Sequence, residues 1–75
     1  MFDKNILAAR VYELRKSANL HQSQLGEAAG VGQFTISKIE KAQRAASIEV
    51  LYALAVFFNT SIDYLVGLSD DPRRR

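Results

Sequence analysis

Apolar residues recur along this chain at spacings of three and four, the period of an amphipathic α-helix. The clearest stripe predicts a first helix from about residue 3 or 4 to residue 17, and its members are Leu7, Val11, Leu14 and Ala18. Similar spacings, bounded by glycines and by serines that can cap helices, predict helices over about 22–29, 33–41 and 48–58 and a fifth after Ser61. No alternating pattern competes, so we expect an all-α fold of five short helices.

The segment 22–41 joins the second and third helices at Gly30. Gly30 suits a left-handed turn, because a residue with a β-carbon would strain the backbone there. With the apolar positions turned inward, the polar side of the third helix carries Gln33, Phe34, Ser37 and Lys38. Hydrogen-bonding groups, an aromatic ring and a cation on one short exposed helix suit the major groove of DNA.

Size and composition limit what else the chain can do. It has 75 residues, no cysteine and one histidine, which indicates one small domain without disulfides, thiolate metal sites or a His-based metal centre. No apolar run approaches the roughly 20 residues needed to span a bilayer, and the first residues lack the order of a secretory signal. We therefore expect a single cytoplasmic domain with no metal, cofactor, small-molecule ligand or membrane association.

The distribution of charge is more informative than its sum. The formal net charge of +2 depends on the three arginines at 73–75, without which it would be 2 − 3 = −1. Lys38, Lys41 and Arg44 form a basic cluster within and just after the predicted third helix. A local basic patch on a nearly neutral domain favours sequence-reading contacts plus a few phosphate contacts over broad polyanion binding.

The central segment resembles the helix-turn-helix of the Cro/CI-type family, also called the XRE family, of phage repressors and small bacterial regulators. The resemblance covers roughly residues 6–68. Counted from Gln22, the positions that the motif keeps apolar or small hold Leu25, Gly26, Gly30, Val31, Ile36 and Ile39. The chain departs from the family pattern at His21, a poor helix cap, at Lys41-Ala42 in place of a glycine, and at Ala46 in place of a proline.

The resemblance implies a compact five-helix, lambda-repressor-like DNA-binding domain over residues 1–68, followed by a short charged tail over 69–75. Its recognition helix, about 33–41, would enter the major groove of double-stranded DNA. The family also implies a structural ion pair between Arg15 and Glu40 that orients this helix. Glu40 is therefore not expected to contact DNA, since a carboxylate would repel the phosphates.

Individual side chains of this segment have different expected roles. The Gln33 amide can pair bidentately with adenine, and Phe34 can pack on a thymine methyl group; the alternatives are a solvated Gln33 and a Phe34 folded against the second helix. We expect base contacts from Gln33, Phe34, Ser37 and Lys38. We expect phosphate contacts, which position the protein without reading sequence, from Gln22, Thr35, Lys41, Gln43 and Arg44.

Together these features predict a sequence-specific DNA-binding homodimer that regulates transcription as a repressor. The fourth helix carries more apolar surface than one face can bury, which predicts a dimer interface of Phe57, Ile62, Tyr64 and Leu65. The alternative is that Phe57 only covers the core. An enzyme is not expected, because the chain has no nucleophile–base pair and no phosphate-cradling glycine loop. Two alternatives stay open: an antitoxin-type or other protein-interaction module whose main partner is a protein, and a degenerate domain that no longer binds DNA.

Overall fold

Five helices follow one another in residues 1–73, the part of the chain that this computed structural model describes. Their bounds are α1 Lys4–Ser17, α2 Gln22–Ala28, α3 Gln33–Glu40, α4 Ile48–Phe58 and α5 Ile62–Val66. The predicted all-α fold is confirmed, with α2 and α3 each ending one residue earlier than expected. None of these helices is both long enough and apolar enough to cross a membrane.

Polar side chains cap the starts of several helices. The Ser47 and Ser61 hydroxyls accept hydrogen bonds from the backbone N–H groups three residues later, which satisfies an otherwise unpaired donor at the start of α4 and of α5. At the start of α2 the His21 backbone N–H donates to the Gln24 side chain at 2.8 Å. Asn59 ends α4 in a left-handed conformation, with φ of 53°. Local side-chain contacts therefore fix the starts of α2, α4 and α5.

The turn between α2 and α3 depends on two glycines. Gly30 has a φ of +74°, in the left-handed region that strains residues with a β-carbon. Gly26 lies where α2 approaches the start of α3, and a β-carbon there would be 2.8 Å from the carbonyl oxygen of Val31. The turn thus holds α3 against α2 at a separation that only small residues permit.

Apolar side chains from all five helices form one core. Its buried members are Leu7, Val11, Leu25, Ile36, Ile39, Val50, Leu54, Ala55 and Leu65. Ala18, expected on the inner stripe of the first helix, is exposed because α1 ends at Ser17 and Ala18 is its C-cap. The prediction that Leu65 lies in a dimer interface is wrong, because its side chain is 0% exposed within this single chain.

The C-terminal segment packs on the domain up to Arg73. Thr60, which is almost fully buried, donates from Oγ1 to the Pro72 carbonyl at 2.5 Å and forms an isolated antiparallel bridge with Arg73. The residues expected to form a tail after position 68 therefore continue the domain as far as they are described. Arg74 and Arg75, the rest of the predicted charged tail, lie outside the described residues.

Candidate nucleic-acid interface

The outer face of α3 carries the side chains that the sequence singles out for base contacts. At 100° per residue, Gln33, Ser37, Phe34 and Lys38 follow one another around a continuous arc, while Ile36 and Ile39 point into the core with no exposed surface. Gln33, Phe34 and Lys38 are exposed and Ser37 is half-buried. The core thus holds α3 with this face directed outward.

Phe34 is the most unusual group on this face, because 75% of it is exposed. The alternative in which its ring folds against α2 does not describe this structure. Among the residues that the structure describes, neither Gln33 nor Lys38 uses its side chain in a hydrogen bond or an ion pair. A polar group, a cation and a bare aromatic ring on one rigid helix are therefore available to a partner.

The residues expected to contact phosphates differ in their exposure. Lys41, Gln43 and Arg44 are exposed in the segment after α3, whereas Thr35 is half-buried. Ala42 turns the chain there with a φ of 57°, in the left-handed region where a glycine would be unstrained. The structure thus places three polar side chains beside the end of α3.

A buried polar network fixes the C-terminal end of α3 from the side of the core. Arg15 donates from Nε to Glu40 Oε2 at 2.7 Å and from Nη2 to Oε1 at 2.9 Å. The two side chains are only 10% and 4% exposed, and Arg15 Nη1 also donates to the Leu20 carbonyl at 2.8 Å. These contacts with Glu40 raise the pKa of the Arg15 guanidinium above its usual value. The expected ion pair between α1 and α3 is present in a bidentate form.

Gln22 belongs to the same network. Its Nε2 donates to Glu40 Oε1 at 3.1 Å, and the residue is half-buried. Gln22 was expected to contact a phosphate, and no sequence pattern indicates that its amide would reach Glu40, 18 positions away. The structure therefore brings the side-chain amide of Gln22 to the ion pair, and the expected phosphate contact of Gln22 stays a prediction.

Arg10 makes a second cluster that the sequence does not reveal. Its Nη1 donates to the Tyr64 carbonyl and, at 2.7 Å, to the Ser69 carbonyl. Its Nη2 pairs with Asp70 at 3.0 Å, and its guanidinium lies 4.1 Å from the centre of the Tyr64 ring. These contacts join α1 to the end of α5 and to the C-terminal segment.

The outer side of α4 presents exposed apolar side chains next to α5. Tyr52, Val56 and Phe57 are exposed there, and Ile62 is half-buried at the start of α5. Tyr52, Val56 and Ile62 also line a groove whose other wall is the docked C-terminal segment. The Tyr64 ring, by contrast, lies against Arg10 of α1, so this predicted interface residue is partly occupied inside the chain.

Comparison with known proteins gives this geometry a family context. A family profile described as helix-turn-helix matches residues 11–65. An uncharacterized HTH-type transcriptional regulator of Bacillus subtilis, YobD, is 33% identical over 63 residues, which are 84% of this chain and 56% of the relative. The control protein C.SmaI of Serratia marcescens is 36% identical over 63 residues, 84% of this chain and 75% of the relative.

A solved structure shares the same arrangement of helices. The P22 c2 repressor, crystallised in complex with synthetic operator 9T in the presence of Tl⁺, superimposes with a TM-score of 0.78 at 32% identity. The match covers 80% of this chain and 91% of the repressor chain. The chain spans little more than half the length of the Bacillus subtilis relative and nearly all of the crystallised repressor domain.

Proposed function

The chain belongs to the helix-turn-helix family, and from this membership we propose that it binds double-stranded DNA sequence-specifically and represses transcription. The observation that carries the proposal is the outer face of α3, where Gln33, Phe34 and Lys38 are exposed on a helix anchored from behind. The relatives are a transcriptional regulator, a control protein and a repressor, which is a class of regulators and not of enzymes. A regulator that acts on DNA belongs in the cytoplasm of a bacterial cell, and we propose that location.

Within this proposal, the side chains on α3 read bases and those after it hold phosphates. Gln33 lies at the start of α3, the end that enters the major groove deepest, and its amide pairs with adenine or another base edge. Phe34 packs on a thymine methyl group, and Lys38 and Ser37 reach a guanine or a neighbouring base edge. Thr35, Lys41, Gln43 and Arg44 bind the phosphates on either side.

The first test is selection of bound sequences from a random DNA pool, followed by mobility shifts on the selected site. Gln33→Ala should cost about 1–3 kcal/mol on the selected site and relax the preference at one base pair. Gln43→Ala removes the same amide from a proposed phosphate contact and should weaken binding to all sequences about equally. Affinity that hardly changes with salt and shows no preference among sequences would contradict DNA reading altogether.

We also propose that the protein acts as a homodimer through the outer side of α4 and the start of α5. Phe57, which is 46% exposed, and Ile62 are the proposed centre of this interface, and Tyr52 and Val56 extend it. Tyr64 stays at its edge because its ring is held by Arg10. A two-fold axis here would set two recognition helices about 34 Å apart, one turn of DNA.

Sedimentation tests the homodimer directly. Phe57→Glu should leave a folded monomer, because a buried carboxylate without a partner is costly in an interface. Phe2→Glu is the matched control, since Phe2 has a similar exposed fraction, 49%, at the other end of the chain. An unchanged sedimentation coefficient would remove Phe57 from the interface and would leave the α4 surface to a different protein, as in the antitoxin-type alternative.

A further inference from the structure

Glu40 accepts three hydrogen bonds, and they come from two different helices. Two are the Arg15 bonds from α1, and the third is the 3.1 Å bond from Gln22 Nε2 at the start of α2. Among the described residues, no buried side-chain nitrogen or oxygen lacks a partner. The Gln22 bond is therefore part of a completed network around a carboxylate that is 4% exposed.

The positions of Gln22 and Glu40 show which movement their hydrogen bond restricts. Gln22 is the first residue of α2 and Glu40 is the last residue of α3. The turn at 29–32 already joins the other ends of the two helices. Because the bond links the ends that the turn leaves apart, it limits changes in the angle between α2 and α3. We call this Gln22–Glu40 contact the brace.

We infer that Gln22 is a positioning residue that sets the orientation of α3 through Glu40. Arg15 fixes α3 to α1, and the brace fixes it to α2, so the helix is held from two directions. Correct base contacts require side chains placed to within a fraction of an ångström, whereas phosphate contacts tolerate more movement. Loss of the brace should therefore reduce discrimination between sequences more than it reduces affinity for DNA in general.

This inference rests on the proposed DNA binding and differs from the expected role of Gln22. A phosphate contact carries no sequence information, so its loss would weaken selected and unrelated DNA by the same factor. A positioning role lowers the ratio of the two affinities instead. The ratio of dissociation constants for unrelated and selected DNA is thus the measurement that separates the two roles.

The variant that breaks the brace alone is Gln22→Met. Methionine keeps the length of the side chain but cannot donate a hydrogen bond to Glu40. We expect the ratio of dissociation constants to fall about tenfold, the loss that follows from one hydrogen bond to a charged group. Affinity for unrelated DNA should stay within about a factor of two. Gln43→Met makes the same change outside the network and should leave the ratio unaltered while weakening binding to both DNAs.

An unchanged ratio for Gln22→Met overturns the inference, whether binding to both DNAs weakens equally or not at all. If the wild-type protein itself does not discriminate between sequences, the proposed function fails. The role of the brace is then tested by amide hydrogen exchange of the protein without DNA. There, Gln22→Met should speed amide hydrogen exchange in the last turn of α3 about tenfold, and Gln43→Met should not. Equal exchange rates in the two variants would overturn the inference that Gln22 positions α3.

Discussion

Arg10 and Arg15 both extend from α1 and both bind a carboxylate, yet their surroundings differ in almost every respect. Arg15 and Glu40 are 10% and 4% exposed and face each other in a bidentate pair between two helices. Asp70, the partner of Arg10, is fully exposed, and the better-protected contacts of Arg10 are with two backbone carbonyls. The first cluster stands behind the recognition helix, and the second holds the C-terminal segment.

The difference shows where a charge is indispensable. A buried carboxylate without its cation is a large penalty, because the protein interior solvates it poorly. An exposed carboxylate is solvated by water whether or not an arginine is near, so its ion pair contributes little. Arg10 matters instead as a donor to the carbonyls of Tyr64 and Ser69, because these bonds join α1 to the last turn of α5 and to the C-terminal segment.

The largest effect on stability is expected when the Arg15–Glu40 ion pair is broken. Arg15→Met should lower the free energy of unfolding by about 3 kcal/mol, because Glu40 is left buried with only Gln22 as a donor. Urea denaturation at neutral pH measures it. A loss no larger than that expected for an exposed ion pair would show that water reaches Glu40.

A smaller effect is expected from the same substitution in the second cluster. Arg10→Met should lower the free energy of unfolding by about 1.5–2 kcal/mol, the sum of two modest hydrogen bonds and one cation–π contact. Limited proteolysis should also cut the segment after Gly67 faster than in the wild type. An effect as large as that of Arg15→Met would contradict the contrast drawn between the two arginines.

The smallest effect on stability is expected when only the exposed Arg10–Asp70 ion pair is removed. Asp70→Asn removes the charge that faces Arg10 and leaves both carbonyl contacts in place. The midpoint of urea denaturation should change by no more than the error of the measurement, and added salt should not alter this result. Loss of stability at low salt that vanishes at high salt would show that the Asp70 pair contributes after all.

Much of the fold follows from local features of the sequence. The five helices, the caps at Ser47 and Ser61 and the left-handed turn at Gly30 each depend on residues a few positions apart. The same holds for the outer face of α3, since a helical period places Gln33, Phe34 and Lys38 together without knowledge of the rest of the chain. Leu65 shows the limit of this reasoning, because an apolar residue on α5 can face either the core or a partner.

What the sequence by itself determined is therefore the helix-turn-helix and the group of side chains that it turns outward. The helical period and the conformational freedom of glycine act within a few residues and can be recognised in the chain. Only the tertiary structure decided that Gln22 reaches Glu40, that Arg10 closes on Tyr64 and Asp70, and that Thr60 holds Pro72. These contacts join positions far apart in sequence, and they exist because packing the apolar core brings the helix ends within hydrogen-bond distance of one another.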